Sequence, residues 1–177
     1  MLGGEVASRG ASRALSPAET QQSRRLQLTR LPRQTVRRVV TGVDPSGASM
    51  VVSDAPCECQ AVEDQYVSVD LWSTGLPAGV DGPIDVPEVP DVDGVPGEMI
   101  WRRFTLGPGE KIAFHSTETV DLMTVLSGRI TLVMEQGEVV LEPGDCVVQR
   151  GTVHGWVNAE SVPAVLIGIM ASTRAEV

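Results

Sequence analysis

The sequence predicts an all-β fold, a sandwich or barrel of short strands, and three observations carry that expectation. Valine is frequent from residue 36 onward, and β-branched side chains suit the half-buried, pleated surface of a strand. Between Glu98 and Ala171 short apolar runs follow one another, each closed by a glycine or proline turn, as in sandwiches and barrels. No stretch there has the apolar spacing of a convincing helix.

Residues 1–35 form a basic N-terminal arm, partly disordered or weakly helical, with Ser16-Pro17-Ala18-Glu19 as a helix start. Additional strands and a loop occupy residues 36–97. Val36–Thr41 and Ala48–Ser53 make a hairpin-like pair around Asp44-Pro45-Ser46-Gly47, whose residues favour a tight turn. Tyr66–Trp72 alternates as a strand does. Gly75–Gly97 then carries Pro77, Pro83, Pro87, Pro90 and Pro96 among acidic residues. Proline withholds a backbone donor, so this segment reads as an irregular loop or a flap over a barrel mouth. Its acids lack the fixed spacing of a calcium loop.

The core is expected over residues 98–177. Its strands read Met99–Leu106, Lys111–Phe114, Thr119–Leu126, Arg129–Glu135, Glu138–Leu141, Cys146–Gln149, Val153–Asn158 and Ala164–Met170. Gly107-Pro108-Gly109, Ser127-Gly128, Gln136-Gly137, Pro143-Gly144 and Arg150-Gly151 punctuate them. Gly107-Pro108-Gly109 lacks the following helix that a phosphate-binding loop requires.

Composition narrows the function. The net charge is −9, which argues against nucleic acid and anionic membranes as partners. The charge is uneven: residues 1–38 hold eight arginines against Glu5 and Glu19, and the remainder is acidic. The longest apolar stretch, Val162 to Ala171, is about half of a bilayer span, and the N-terminus has no unbroken apolar signal region. The expected location is cytoplasmic. Three cysteines without spaced pairs do not make a disulfide framework, and Cys57-x-Cys59 is a weak soft-metal motif without a second pair.

The chemistry concentrates on two histidines, the only ones in the chain. One pattern reads Gly109-x5-His115-x-Thr117-x3-Asp121-x6-Gly128. The other reads Pro143-Gly144-Asp145, Arg150-Gly151-Thr152-Val153-His154 and Asn158. Histidine titrates near neutral pH and is the commonest metal ligand. Because alternate side chains share a strand face, His115, Thr117, Asp121 and Met123 have one parity, and His154, Trp156 and Asn158 another. Two histidines facing one interior would bring Asp121 and Trp156 with them.

These residues resemble the cupin superfamily. Gly109, His115 and Gly128 match its first motif, Thr117 stands where a second histidine belongs and Asp121 where a glutamate belongs. Gly144, Gly151, His154 and Asn158 fit the second motif, with Gln149 in place of a proline and a spacing one residue shorter. The resemblance covers residues 98–171 and implies a double-stranded β-helix, the cupin jelly-roll barrel, with a homodimer as its expected assembly. Trp101, Arg102, Arg103 and Phe104 are candidates for a subunit contact.

Three readings of the site follow. In the leading one, a small-molecule enzyme without a redox cofactor performs dehydration, isomerisation, cyclisation or decarboxylation. His115 or His154 is the base, and Asp121 orients an imidazole or serves as the acid. Thr117, Met123, Val125 and Trp156 line the substrate pocket, with Arg150 placed to meet a carboxylate. In the second, His115, Asp121 and His154 hold one divalent metal (Fe, Mn, Ni or Zn) as a facial triad, and the protein is an oxygenase. A non-catalytic ligand-binding protein is the third possibility. Lys111 is the sole lysine. Such arginine-rich usage suggests a GC-rich genome, and small cupins of GC-rich bacteria often serve secondary-metabolite pathways.

Overall fold

A computed structural model describes residues 31, 35–57, 60–75 and 96–173. The basic arm up to residue 34 (Leu31 excepted), Cys59 and the acidic loop over 76–95 lie outside the described residues. So do the tests of the helix start and of the flap. Two compact units divide the chain, Met1–Arg30 and Leu31–Val177, and everything below concerns the second.

All described elements are strands. They are β1 (Val36–Val43), β2 (Ser49–Cys57), β3 (Gln60–Glu63), β4 (Tyr66–Gly75), β5 (Glu98–Leu106) and β6 (Lys111–His115). β7 (Thr119–Ser127), β8 (Ile130–Met134), β9 (Glu138–Leu141), β10 (Cys146–Arg150), β11 (His154–Val157) and β12 (Ala164–Ser172) complete the order. β3 is the one strand that the sequence did not suggest. It is four residues long, too short for alternation to stand out.

β1 and β2 form a separate antiparallel pair. Its turn is tied by Asp44, whose Oδ1 accepts from the Ser46 amide (2.8 Å), the Ala48 amide (3.0 Å) and the Ser46 hydroxyl (2.6 Å). The other strands make two sheets, β10-β7-β12-β5-β4-β3 and β6-β11-β8-β9. This is the double-stranded β-helix that the motifs implied.

Between the sheets lies an apolar cluster of Leu106, Val125, Ile130, Leu132, Leu141, Trp156, Ala164 and Leu166. Each large aliphatic side chain buried here contributes about 1.5–3 kcal/mol. With few aromatics, branched aliphatics fill the centre.

Antiparallel register assigns the inner face. Asp121 pairs with Met170 and Met170 with Ile100; Met123 pairs with Gly168 and Gly168 with Arg102. Arg102 pairs with Asp70, and Leu106 with Tyr66. Alternation along β5 therefore turns Arg102 and Phe104 inward and leaves Trp101 on the outer face. This corrects the grouping of these residues as one surface contact: Arg102 is 5% exposed and Trp101 40%.

Candidate functional site

The two sheets enclose a cavity of about 590 Å³, and its wall includes His115, Thr117, Asp121, Met123, His154 and Trp156. β6 and β11 place the histidines directly opposite each other, His154 pairing with His115. Their ring centroids are 4.3 Å apart at 48°, and His154 meets Trp156 edge-on at 6.1 Å and 86°.

Each histidine bonds to a carbonyl two residues back: His115 Nδ1 to Ala113 O and His154 Nδ1 to Thr152 O, both at 2.9 Å. A carbonyl only accepts, so Nδ1 carries the proton and donates. In the neutral rings Nε2 is then left with its lone pair, free to act as base or ligand.

One of these bonds lies within a break in register. His154 faces His115, but Trp156 faces Ile112, so β6 carries one extra residue between them. This bulge turns both Ile112 and His115 toward the cavity. Gly155 lies against it, where a Cβ would come within 2.9 Å of Ile112 O. The other tie is braced by Gln149, whose Nε2 reaches Thr152 O at 3.4 Å and Thr152 Oγ1 at 3.3 Å. Gln149 thus supports the loop that orients His154.

Asp121 is 3% exposed. Thr119 Oγ1 lies 2.5 Å from Asp121 Oδ1 and 2.7 Å from Thr117 Oγ1. Each hydroxyl has a single proton, so the direction of this chain follows Asp121. An ionised carboxylate accepts from Thr119, which accepts from Thr117. A protonated carboxyl can instead donate to Thr119, which then donates to Thr117.

Burial raises the Asp121 pKa above its usual value, while the Thr119 bond and the two histidines work against that shift. Burial lowers the His154 pKa, reinforced by His115 and opposed by the Thr152 bond and Asp121. Both shifts favour the uncharged forms.

Among the described residues no three of His, Cys, Asp and Glu are arranged to hold a metal ion. Only two imidazoles meet; the Asp121 carboxylate, one methylene shorter than glutamate, is engaged by Thr119.

Arg150 is exposed at the end of β10 and does not line the cavity. Its neighbour Gln149 is buried, and alternation turns Arg150 outward. Val125 belongs to the packed cluster rather than the cavity wall. Asn158 is fully buried; its Nδ2 donates to Leu106 O (2.9 Å), Gly107 O (3.0 Å) and Val162 O (2.9 Å).

The cavity also has walls that motif spacing did not supply: Tyr66, Phe104, Leu106, Ile112, Leu166 and Met170. Inward parity on β5 and β12 would have found some of them. Tyr66, on β4, gave no local signal.

The cupin-domain family model matches residues 102–170. A cupin-domain-containing oxidoreductase of Neurospora crassa is 30% identical over 133 residues, covering 71% of this chain and 67% of its own. This chain belongs to the cupin superfamily. A second fungal relative of this cupin, phomopsin biosynthesis cluster protein C' of Diaporthe leptostromiformis, is 32% identical over 136 residues, 71% of each chain. Among solved structures, an RmlC-like cupin from Shewanella frigidimarina has a TM-score of 0.48 at 14% identity, covering 67% of this chain and 86% of that one.

Proposed function

We propose that this cupin is an enzyme of secondary-metabolite biosynthesis that moves protons on a small, largely apolar organic molecule. The observation that carries the reading is the histidine pair. Two imidazoles have Nδ1 committed to backbone carbonyls and Nε2 left basic, in one cavity with a buried carboxyl. The biosynthetic setting is supported by the phomopsin-cluster relatives.

The residues divide the work. One imidazole Nε2 takes a proton from a carbon next to a carbonyl, and the C–H electron pair moves into the carbonyl as an enolate. The proton then returns at another carbon, giving isomerisation, or a hydroxide leaves, giving dehydration. His154, with its lowered pKa, is the base that stays free at neutral pH. Asp121, biased toward its protonated form, is the complementary acid. Apolar walls exclude water and accept the body of the substrate.

The test is deuterium exchange. Enolisable carbonyl and hydroxy-acid compounds are incubated with the protein in D2O, beside His115→Gln and His154→Gln variants. Incorporation or turnover with the parent, lost in both variants, is expected. Turnover that appears only after a divalent metal is added would contradict the reading.

A second reading is favoured by the same Nδ1 ties, because metal-bound histidines commonly donate their other ring N–H to a carbonyl, and by relatives named oxidoreductases. It would require a ligand beyond the two imidazoles. Elemental analysis of unchelated protein separates the two: one equivalent of Fe, Mn, Ni or Zn, absent from the His154→Gln variant, would favour it.

A further inference from the structure

One polar residue of the cavity wall lies outside the histidine motifs. Tyr66 lines the cavity from β4, with its ring tilted 31° against Phe104 at 6.2 Å between centroids. In register Tyr66 shares a row with Leu106 and Ala164, whereas Asp121 shares one with Met170. Six residues of β12 separate those rows, about 20 Å of strand. The backbone positions of Tyr66 and Asp121 thus lie well apart along the barrel wall.

The phenol is a donor without a partner. No hydrogen bond from its hydroxyl is found among the described residues, while burial keeps the group protonated by raising its pKa. On the cavity wall and only half-buried, the hydroxyl is open to water or to a ligand that accepts from it. Its surroundings indicate which ligand. The charges that act on it are Arg102 and Asp70, which neutralise each other: Arg102 Nε donates to Asp70 Oδ1 and Nη2 to Oδ2 at 3.0 Å; the cavity wall adds one charge of each sign, Lys111 and Glu110. An arginine already matched by a bidentate carboxylate leaves little field for a second anion. A neutral oxygen needs only the phenol proton.

We propose that Tyr66 is an anchoring subsite, donating to a neutral acceptor oxygen, a carbonyl above all, at the far end of an elongated, mostly apolar ligand whose other end meets His115 and His154. The inference rests on reading the cavity as the substrate site. Tyr66 lies outside the stretch that matches the family model, so the subsite belongs to the β4 extension and not to the two histidine motifs.

Tyr66 is the only tyrosine and the histidines are the only two in the chain, so each end of the cavity can be observed separately. Full-length protein labelled with 13C at tyrosine Cζ and 15N in histidine is titrated with 2-nonanone, and separately with nonanoate. 2-Nonanone is expected to shift both the Tyr66 and the histidine ring signals. Tyr66→Phe should weaken its binding about fivefold to tenfold, the worth of one neutral hydrogen bond. Nonanoate should bind more weakly, and Tyr66→Phe should leave its affinity unchanged. A thermal melt of Tyr66→Phe matching the parent assigns the loss to the hydroxyl. If the histidine signals move while Tyr66 stays still, or if Tyr66→Phe binds the ketone as the parent does, the anchoring role is overturned and the cavity reading stands. If neither probe moves either end, both are overturned.

Discussion

At the level of single residues, Asp121 and His154 make opposite demands on pH. Asp121 has a folded pKa raised above its ordinary 3.8, so the native state binds its proton more readily than the unfolded chain does. Stability from this group falls as pH rises from about 3.8 through the folded value. Asp121→Asn, which cannot ionise, should therefore melt higher than the parent at pH 7 and no higher below pH 3.8, while losing proton-transfer activity. Thermal melts across that range check the sign. His154 has a folded pKa below its ordinary 6.5, so its effect runs the other way: stability is full above 6.5 and falls as pH drops through the folded value. Thr119 is a separate case, since its hydroxyl serves the buried carboxyl. Thr119→Val should cost about 1–3 kcal/mol, the penalty of leaving a buried polar group without its partner, and Thr119→Ser should restore most of it in denaturant titrations.

Among the elements, β6 and β11 decide the site. The bulge between Ile112 and His115 turns both inward, and Gly155 provides the room. Gly155→Ala places a methyl against a backbone carbonyl, which cannot move without β6. A cost of about 1–3 kcal/mol is expected, with a change in His115 Nδ1 protonation visible by 15N spectroscopy. Parity from the two histidines led directly to Asp121, Met123 and Trp156, because alternation is a rigid property of strands. It could not show the bulge, which leaves no mark in residue type, or Tyr66, whose place depends on pairing between distant strands. Arg150 illustrates the opposite failure. Its charge suggested a substrate role, while its alternation with buried Gln149 turned it to solvent. Thr119, between two residues already chosen, was accessible to the same parity argument and was missed.

For the molecule as a whole, two buried polar groups hold the barrel together. Asn158 ties the turn after β5 to the segment before β12 through three carbonyls. Asn158→Ala should cost about 2–4 kcal/mol, from several hydrogen bonds at roughly 1 kcal/mol each and the carbonyls left bare, measured as a shift in urea midpoint. Arg102 and Asp70 join β5 to β4, the strand that carries Tyr66. All-β architecture and every strand of the 98–177 core were legible, since glycine and proline turns punctuate them. The motifs also brought His115, His154 and Asp121 to one cavity, as the strand parities implied.

The most direct test is long-range 1H–15N spectroscopy of the two imidazoles at pH 7.5, without added metal or chelator. Protonated Nδ1 and bare Nε2 in both rings, unchanged by a chelator, is the result expected of a histidine-based proton-transfer site. An Nε2–H in His154, or an Nε2 signal that moves when a chelator is added, would contradict it.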